Sequence, residues 1–129
     1  MGIYAFLAVF CGAGFGACLR WWLGLVLNPV FPTLPLGTLT ANLLGGYLIG
    51  VTMTYFSINT SLPPEVRLMV ITGFMGALTT FSTFSAEVVD LIMRNQLGWA
   101  MITAGVHLFG SLALTGLGIL TVRVLHSGS

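Results

Sequence analysis

The chain has 129 residues, 57% of them hydrophobic and only 5% charged, with a formal net charge of +1. A typical soluble domain carries roughly 25% charged residues, so this composition excludes a water-facing surface, and a near-neutral charge gives nucleic acid no electrostatic hold. A bilayer-spanning helix needs about 20 mostly apolar residues, and the sequence divides into four such stretches: an all-α membrane protein, residues 1–129 as one transmembrane domain, with spans near 3–27, 36–56, 66–94 and 99–125.

The first span opens without the basic start of a secretory signal, so it reads as a permanent span. Gly12 and Gly16 form a small-xxx-small pair that lets a neighbouring helix approach closely. Cys11 and Cys18 suit neither a disulfide nor a metal site and read as small packing residues. Arg20 follows with Trp21 and Trp22 near the far interface. The tryptophans fit an aromatic belt, and the arginine either snorkels to headgroups, ties another helix end, or stands as a fixed positive charge near a pore mouth.

Asn28-Pro29 and the prolines at 32 and 35 prevent helix continuation. In the second span Thr38 and Asn42 lie four apart and share a face, and Asn42 is the only amide inside the four spans. Its side chain must find partners or incur a burial cost, either as a hydrogen bond across helices or as part of a polar lining. Gly46 and Gly50 make a second close-packing pair.

The third span carries the stretch on which the chain turns. Between Gly73 and Glu87 it places five hydroxyls, Thr79, Thr80, Ser82, Thr83 and Ser85, with Phe81 and Phe84 in apolar surroundings. Gly73 and Gly76 loosen the backbone just ahead, where local unwinding frees peptide groups for ion contact. Non-helical backbone at membrane depth persists only when buried in protein or lining a cavity. With a helix from Thr80 onward, Phe81, Phe84 and Glu87 share one face. Glu87 is then either a vestibule carboxylate or a solvated interfacial residue, whereas Asp90 and Arg94 form an ordinary i,i+4 ion pair. In the last span His107, Ser111 and Thr115 repeat every four residues as a polar stripe, facing either a permeant solute or a satisfied core.

The chain has four arginines and no lysine, two towards each membrane side. That leaves almost no positive-inside bias, so the chain inserts either way up and is expected to pair as an antiparallel homodimer, whose eight helices enclose a pathway better than four. Amide N–H, hydroxyl O–H and positively polarised phenyl edges favour a small, dehydrated anion.

Gly16-Ala17-Cys18-Leu19-Arg20, Gly37-Thr38-Leu39 with Asn42 and Gly45, and the run from Gly73 through Thr79-Thr80-Phe81-Ser82-Thr83-Phe84-Ser85 to Glu87 together resemble the motifs of the Fluc (CrcB) fluoride channels across essentially the whole chain. The resemblance implies a passive fluoride-selective channel of the bacterial inner membrane, built as an antiparallel dual-topology homodimer with two pores and a third helix broken mid-membrane. By position, Phe81 and Phe84 are the ring-edge contacts and Asn42 the amide donor. Ser82, Thr83, Ser111 and Thr115 form the polar track, headed by His107 where some members have tyrosine. Arg20 matches the vestibule arginine, and the backbone carbonyls of Gly76 and Thr79 match those that hold a structural Na⁺ at the dimer interface.

A weak ladder of donors offsets desolvation without trapping the ion, and no energy-coupling motif is present. The alternative is a small proton-coupled multidrug exporter, also of four-helix antiparallel type. Such antiport needs a membrane carboxylate, most naturally in the first span, and this first span has none. A non-transporting scaffold leaves the hydroxyl and phenylalanine run unexplained. An enzyme would need a nucleophile and base that the sequence does not supply.

Overall fold

The computed structural model describes residues 2–128, which form helices and short connections. Helix α1 (Ile3–Leu27) runs into one 3₁₀ turn (Asn28–Val30), and α2 spans Leu36–Ile58. A short α3 (Pro64–Arg67) continues through a π-helical stretch (Leu68–Met75) into α4 (Gly76–Leu78); α5 (Phe81–Met93) and the long α6 (Leu97–Ser127) complete the chain. Four runs, Ile3–Val30, Leu36–Ile58, Pro64–Met93 and Leu97–Ser127, are long and apolar enough to cross a bilayer. The chain is an integral membrane protein.

The helix ends follow local chemistry. Asn28, upstream of the proline break, caps α2 from a distance: its Oδ1 accepts from the backbone N–H of Gly37 at 2.7 Å and of Thr38 at 3.2 Å. Those amides have no partner inside their own helix, so the cap satisfies two of the four orphan donors. Pro64 sits in the first turn of α3, where its missing N–H costs nothing. At the other end of the third run, Asn95 adopts a left-handed φ of 61° and the Gln96 N–H returns to the Leu91 carbonyl at 2.9 Å. This six-to-one closure turns the chain sharply from α5 into α6.

Packing rests on small residues rather than on a large apolar core, because lipid tails are as apolar as leucine and give helices no hydrophobic reason to associate. A Cβ on Gly12 would fall onto the Met69 carbonyl oxygen, and one on Gly16 onto that of Phe74. α1 thus lies directly against the π-helical stretch, with Gly73 answering from the other side. The seam between α2 and α6 has the same construction, with Gly50 against the Thr115 carbonyl and Gly118 against that of Tyr47. Leu23, Ala41 and Leu78 form the buried apolar centre, flanked by Leu19, Leu44 and Phe74. Cys11 and Cys18, expected as packing residues, are instead free and exposed on the protomer. They lie off the Gly12–Gly16 stripe that makes the contact, and spacing alone does not say which side of α1 is covered.

Candidate functional site

The site is organised by two residues that leave the helix. Thr79 (φ −82°, ψ 154°) and Thr80 (φ −147°, ψ 123°) are extended between α4 and α5. Gly73 and Gly76, expected to loosen the backbone, remain inside helical stretches, and the departure falls at the threonines that follow. The reason is hydrogen bonding. The Thr80 side chain caps α5, its Oγ1 accepting from Thr83 N–H at 3.1 Å. The Asn42 side chain, from α2, takes both peptide groups of Thr80: its Oδ1 accepts from Thr80 N–H at 2.8 Å, and its Nδ2 donates to the Thr80 carbonyl at 3.1 Å. Gly45, one turn along α2, makes room for the step, since a Cβ there would overlap the Thr79 methyl.

This arrangement frees two carbonyls. In a continuous helix the Gly76 oxygen would receive Thr80 N–H and the Thr79 oxygen would receive Thr83 N–H. Both donors are diverted, the first to Asn42 and the second to Thr80 Oγ1. The Ala77 carbonyl between them accepts from Arg20 Nε at 3.0 Å. Arg20 therefore ties α1 to the C-terminal end of α4, where a cation favours the helix dipole.

Two cavities meet at this step. The larger, about 480 Å³, is a groove walled by Asn42, Thr79, Phe81, Phe84, His107 and Ser111. It opens at the protomer surface, where Phe81 is 78% exposed. The rings of Phe81 and Phe84 meet edge-on with centroids 5.5 Å apart, and Phe84 packs on the His107 imidazole at 4.6 Å. The smaller, about 300 Å³, is lined by Arg20, Trp21, Asn28, Thr38, Thr80 and Thr83. Thr80 belongs to both walls. The expected single polar track is thus divided: Ser111 faces the groove, Thr83 faces the arginine pocket, and Ser82 is exposed with its hydroxyl 3.4 Å from that of Thr80.

The hydrogen bonds separate free donors from committed ones. Thr115 lies outside the groove wall, and its hydroxyl proton is shared between the Gly46 carbonyl at 2.8 Å and the Ser111 carbonyl at 2.9 Å. Asn42 has both amide hydrogens engaged, one on Thr80 and one facing His107 Nδ1 at 3.0 Å. Glu87 is half-buried, with Oε2 accepting from Thr38 Oγ1 at 2.7 Å and Oε1 buried without a partner among the described residues. It belongs to a third, smaller depression of about 140 Å³ shared with Pro32, Asp90 and Arg94. Asp90 and Arg94 pair at 3.1 Å on the exposed surface, as their spacing implies.

Thr80 and Thr38 are named from the sequence without the roles that the structure gives them. Thr80 carried a usable signal, a threonine directly before the helical Phe81–Phe84–Glu87 face, which is the position of an N-cap. Thr38 carried only its spacing from Asn42, and its partner Glu87 is 49 residues away.

The profile of CrcB-like proteins (camphor resistance, CrcB) matches residues 7–119. The chain is 61% identical over 125 residues to a fluoride-specific ion channel FluC of Nitrosospira multiformis, covering 97% of this chain and 98% of that protein. It is 58% identical over 120 residues to a FluC of Burkholderia cenocepacia and 56% identical over 120 residues to one of Burkholderia mallei, each covering 93% of this chain and 94% of the relative.

Proposed function

The chain belongs to the CrcB family, and from that membership we propose that it is a passive, fluoride-selective channel that lets the anion leave the cytoplasm across the inner membrane. The observation that carries the reading is the groove in which Phe81, Phe84 and Ser111 line a space opening within the apolar spans. Lipid cannot satisfy polar groups at that depth. A second, oppositely inserted copy covering the open side would enclose each groove as a pore, giving two pores per antiparallel dimer. The near-even arginine distribution supports insertion in both directions.

Fluoride is small and strongly hydrated, so each shed water must be replaced. Arg20 gives the pocket beside Thr80 and Thr83 a positive potential that gathers anions. Ring edges at Phe81 and Phe84 present partial positive charge, and the Ser111 hydroxyl supplies a proton. Several moderate sites let the ion enter and leave, where one strong site would hold it. Asn42, with its amide engaged, serves the path first by holding Thr80 in place; Thr115 holds α2 against α6 below Ser111. Glu87, fixed by Thr38, belongs to the depression shared with Asp90 and Arg94 and not to the groove wall.

The freed carbonyls fit a structural Na⁺ at the dimer interface. Sodium takes hard oxygen ligands, and the Gly76 and Thr79 oxygens have lost their helical donors to Asn42 and Thr80. When bound, the ion supplies fixed positive charge that neutralises carbonyl dipoles. Gly76 is exposed on the protomer, as a ligand shared with a second copy must be.

Anion efflux from liposomes containing the purified protein tests the function, with fluoride or chloride loaded in parallel and an ionophore dissipating the potential. Fast fluoride loss with chloride retained is the expected result, and Phe81→Ile or Phe84→Ile suppresses it while the dimer stays assembled. Retention of both ions by the wild-type protein removes the channel reading, and normal flux in both phenylalanine variants removes the ring-edge role.

A further inference from the structure

The hydrogen bonds around Asn42 fix the position of a proton. A backbone N–H only donates and a backbone carbonyl only accepts. Because Asn42 engages both groups of Thr80, its oxygen must face the N–H and its nitrogen the carbonyl, so the amide has one permitted orientation. Its nitrogen has no lone pair to offer. The 3.0 Å contact between that nitrogen and His107 Nδ1 therefore has Asn42 as donor and Nδ1 as acceptor.

We propose that His107 is a positioning residue, held as the neutral imidazole with its proton on Nε2, whose bare Nδ1 clamps Asn42 onto the extended Thr79–Thr80 step. The assignment of the tautomer stands apart from the channel reading; the consequence for flux rests on it. His107 is 4% exposed, and Nε2 is buried without a hydrogen-bond partner among the described residues, so this N–H is not offered to the groove. The imidazole lines the groove beside Phe84, and acts through Asn42. A second proton on the ring would place N–H against N–H, and the amide would have to release either His107 or Thr80. The ionisable group nearest on α5 is Glu87, one turn beyond Phe84 and held by Thr38; α2 contributes only the neutral Thr38 and Asn42 to this layer; Arg20 of α1 is held on Ala77.

The test uses ¹⁵N-labelled full-length protein in nanodiscs carrying His126→Asn, which leaves His107 as the single histidine. Long-range ¹H–¹⁵N spectra at neutral pH are expected to show Nδ1 unprotonated and Nε2 protonated. A ring protonated on Nδ1, alone or in addition to Nε2, overturns the proposal. Amide exchange at Thr80 supplies a second readout. His107→Asn places a carbonyl oxygen where Nδ1 stood and is expected to keep Thr80 slow, whereas His107→Leu accelerates its exchange by about tenfold or more through local opening. Equal protection in the two variants overturns the positioning role. Fluoride efflux should follow the same order, higher in His107→Asn than in His107→Leu. Absence of fluoride flux in the wild-type protein would count against the channel reading and leave the spectra and the exchange to judge His107.

Discussion

The third membrane run, Pro64–Met93, is held in two different ways on its two sides. Towards α1 it is fixed by backbone lying on backbone, Gly12 and Gly16 against the carbonyls of Met69 and Phe74, with Arg20 as a polar tie at the end. Towards α2 and α6 it is fixed by side-chain hydrogen bonds, Asn42 to Thr80 and His107 to Asn42. Close backbone contact sets where a helix lies and is indifferent to what the chain does further along. Hydrogen bonds from a side chain fix the conformation of a step that has no helical partners. The glycine seam places the element, and the amide shapes the site.

The comparison breaks first at the seam. Gly16→Val drives two methyl groups into the Phe74 backbone, which cannot swing away as a side chain would. Overpacking costs typically 1–3 kcal/mol where neighbours can adjust, so a loss at or above about 3 kcal/mol is expected here, read as a collapsed monodisperse peak in size-exclusion chromatography. Gly14→Ala, where an added Cβ meets nothing, should leave the peak unchanged. An intact Gly16→Val protein would show that α1 is not positioned by this contact.

Asn42→Asp tests the other side. The carboxylate can still accept from Thr80 N–H but can no longer donate to the Thr80 carbonyl or to His107. A stranded polar group costs about 1–3 kcal/mol, so the protein is expected to stay folded with a lowered Tm while fluoride efflux falls by about two orders of magnitude, near the same energy expressed as rate. Unchanged flux would mean that the Thr79–Thr80 step does not depend on its amide. Smallest of the three is Asp90→Asn, which removes an exposed i,i+4 pair. Its expected effect is about 0.3–0.5 kcal/mol, within the scatter of a thermal melt, and a larger shift would show that the Glu87 depression is more tightly coupled to the site than its exposed rim implies.

The membrane runs, the proline breaks, both small-residue seams and the Asp90–Arg94 pair were legible in the sequence because each depends on residues close together in the chain. The residue types of the site were legible for the same reason, since Phe81, Phe84 and their hydroxyl neighbours occupy one short run. The state of each donor was not. Thr115 and Ser111 stand on one helical stripe, yet the first has its proton on the Gly46 carbonyl while the second faces the groove. Cys11 and Cys18 look like packing residues by type and lie exposed.

By itself the sequence determined that this chain crosses a bilayer four times and carries an unusual polar and aromatic run in its third crossing, because hydropathy, length and motif are properties of contiguous residues. Only the tertiary structure decided that the chain leaves the helix at Thr79 and Thr80, that Asn42 is engaged by Thr80 and His107, and that the carbonyls of Gly76 and Thr79 are left without helical donors. The Asn42 contacts among them rest on partners 38 and 65 residues apart. Periodicity names the face on which a side chain stands, and the fold alone brings up the group that meets it.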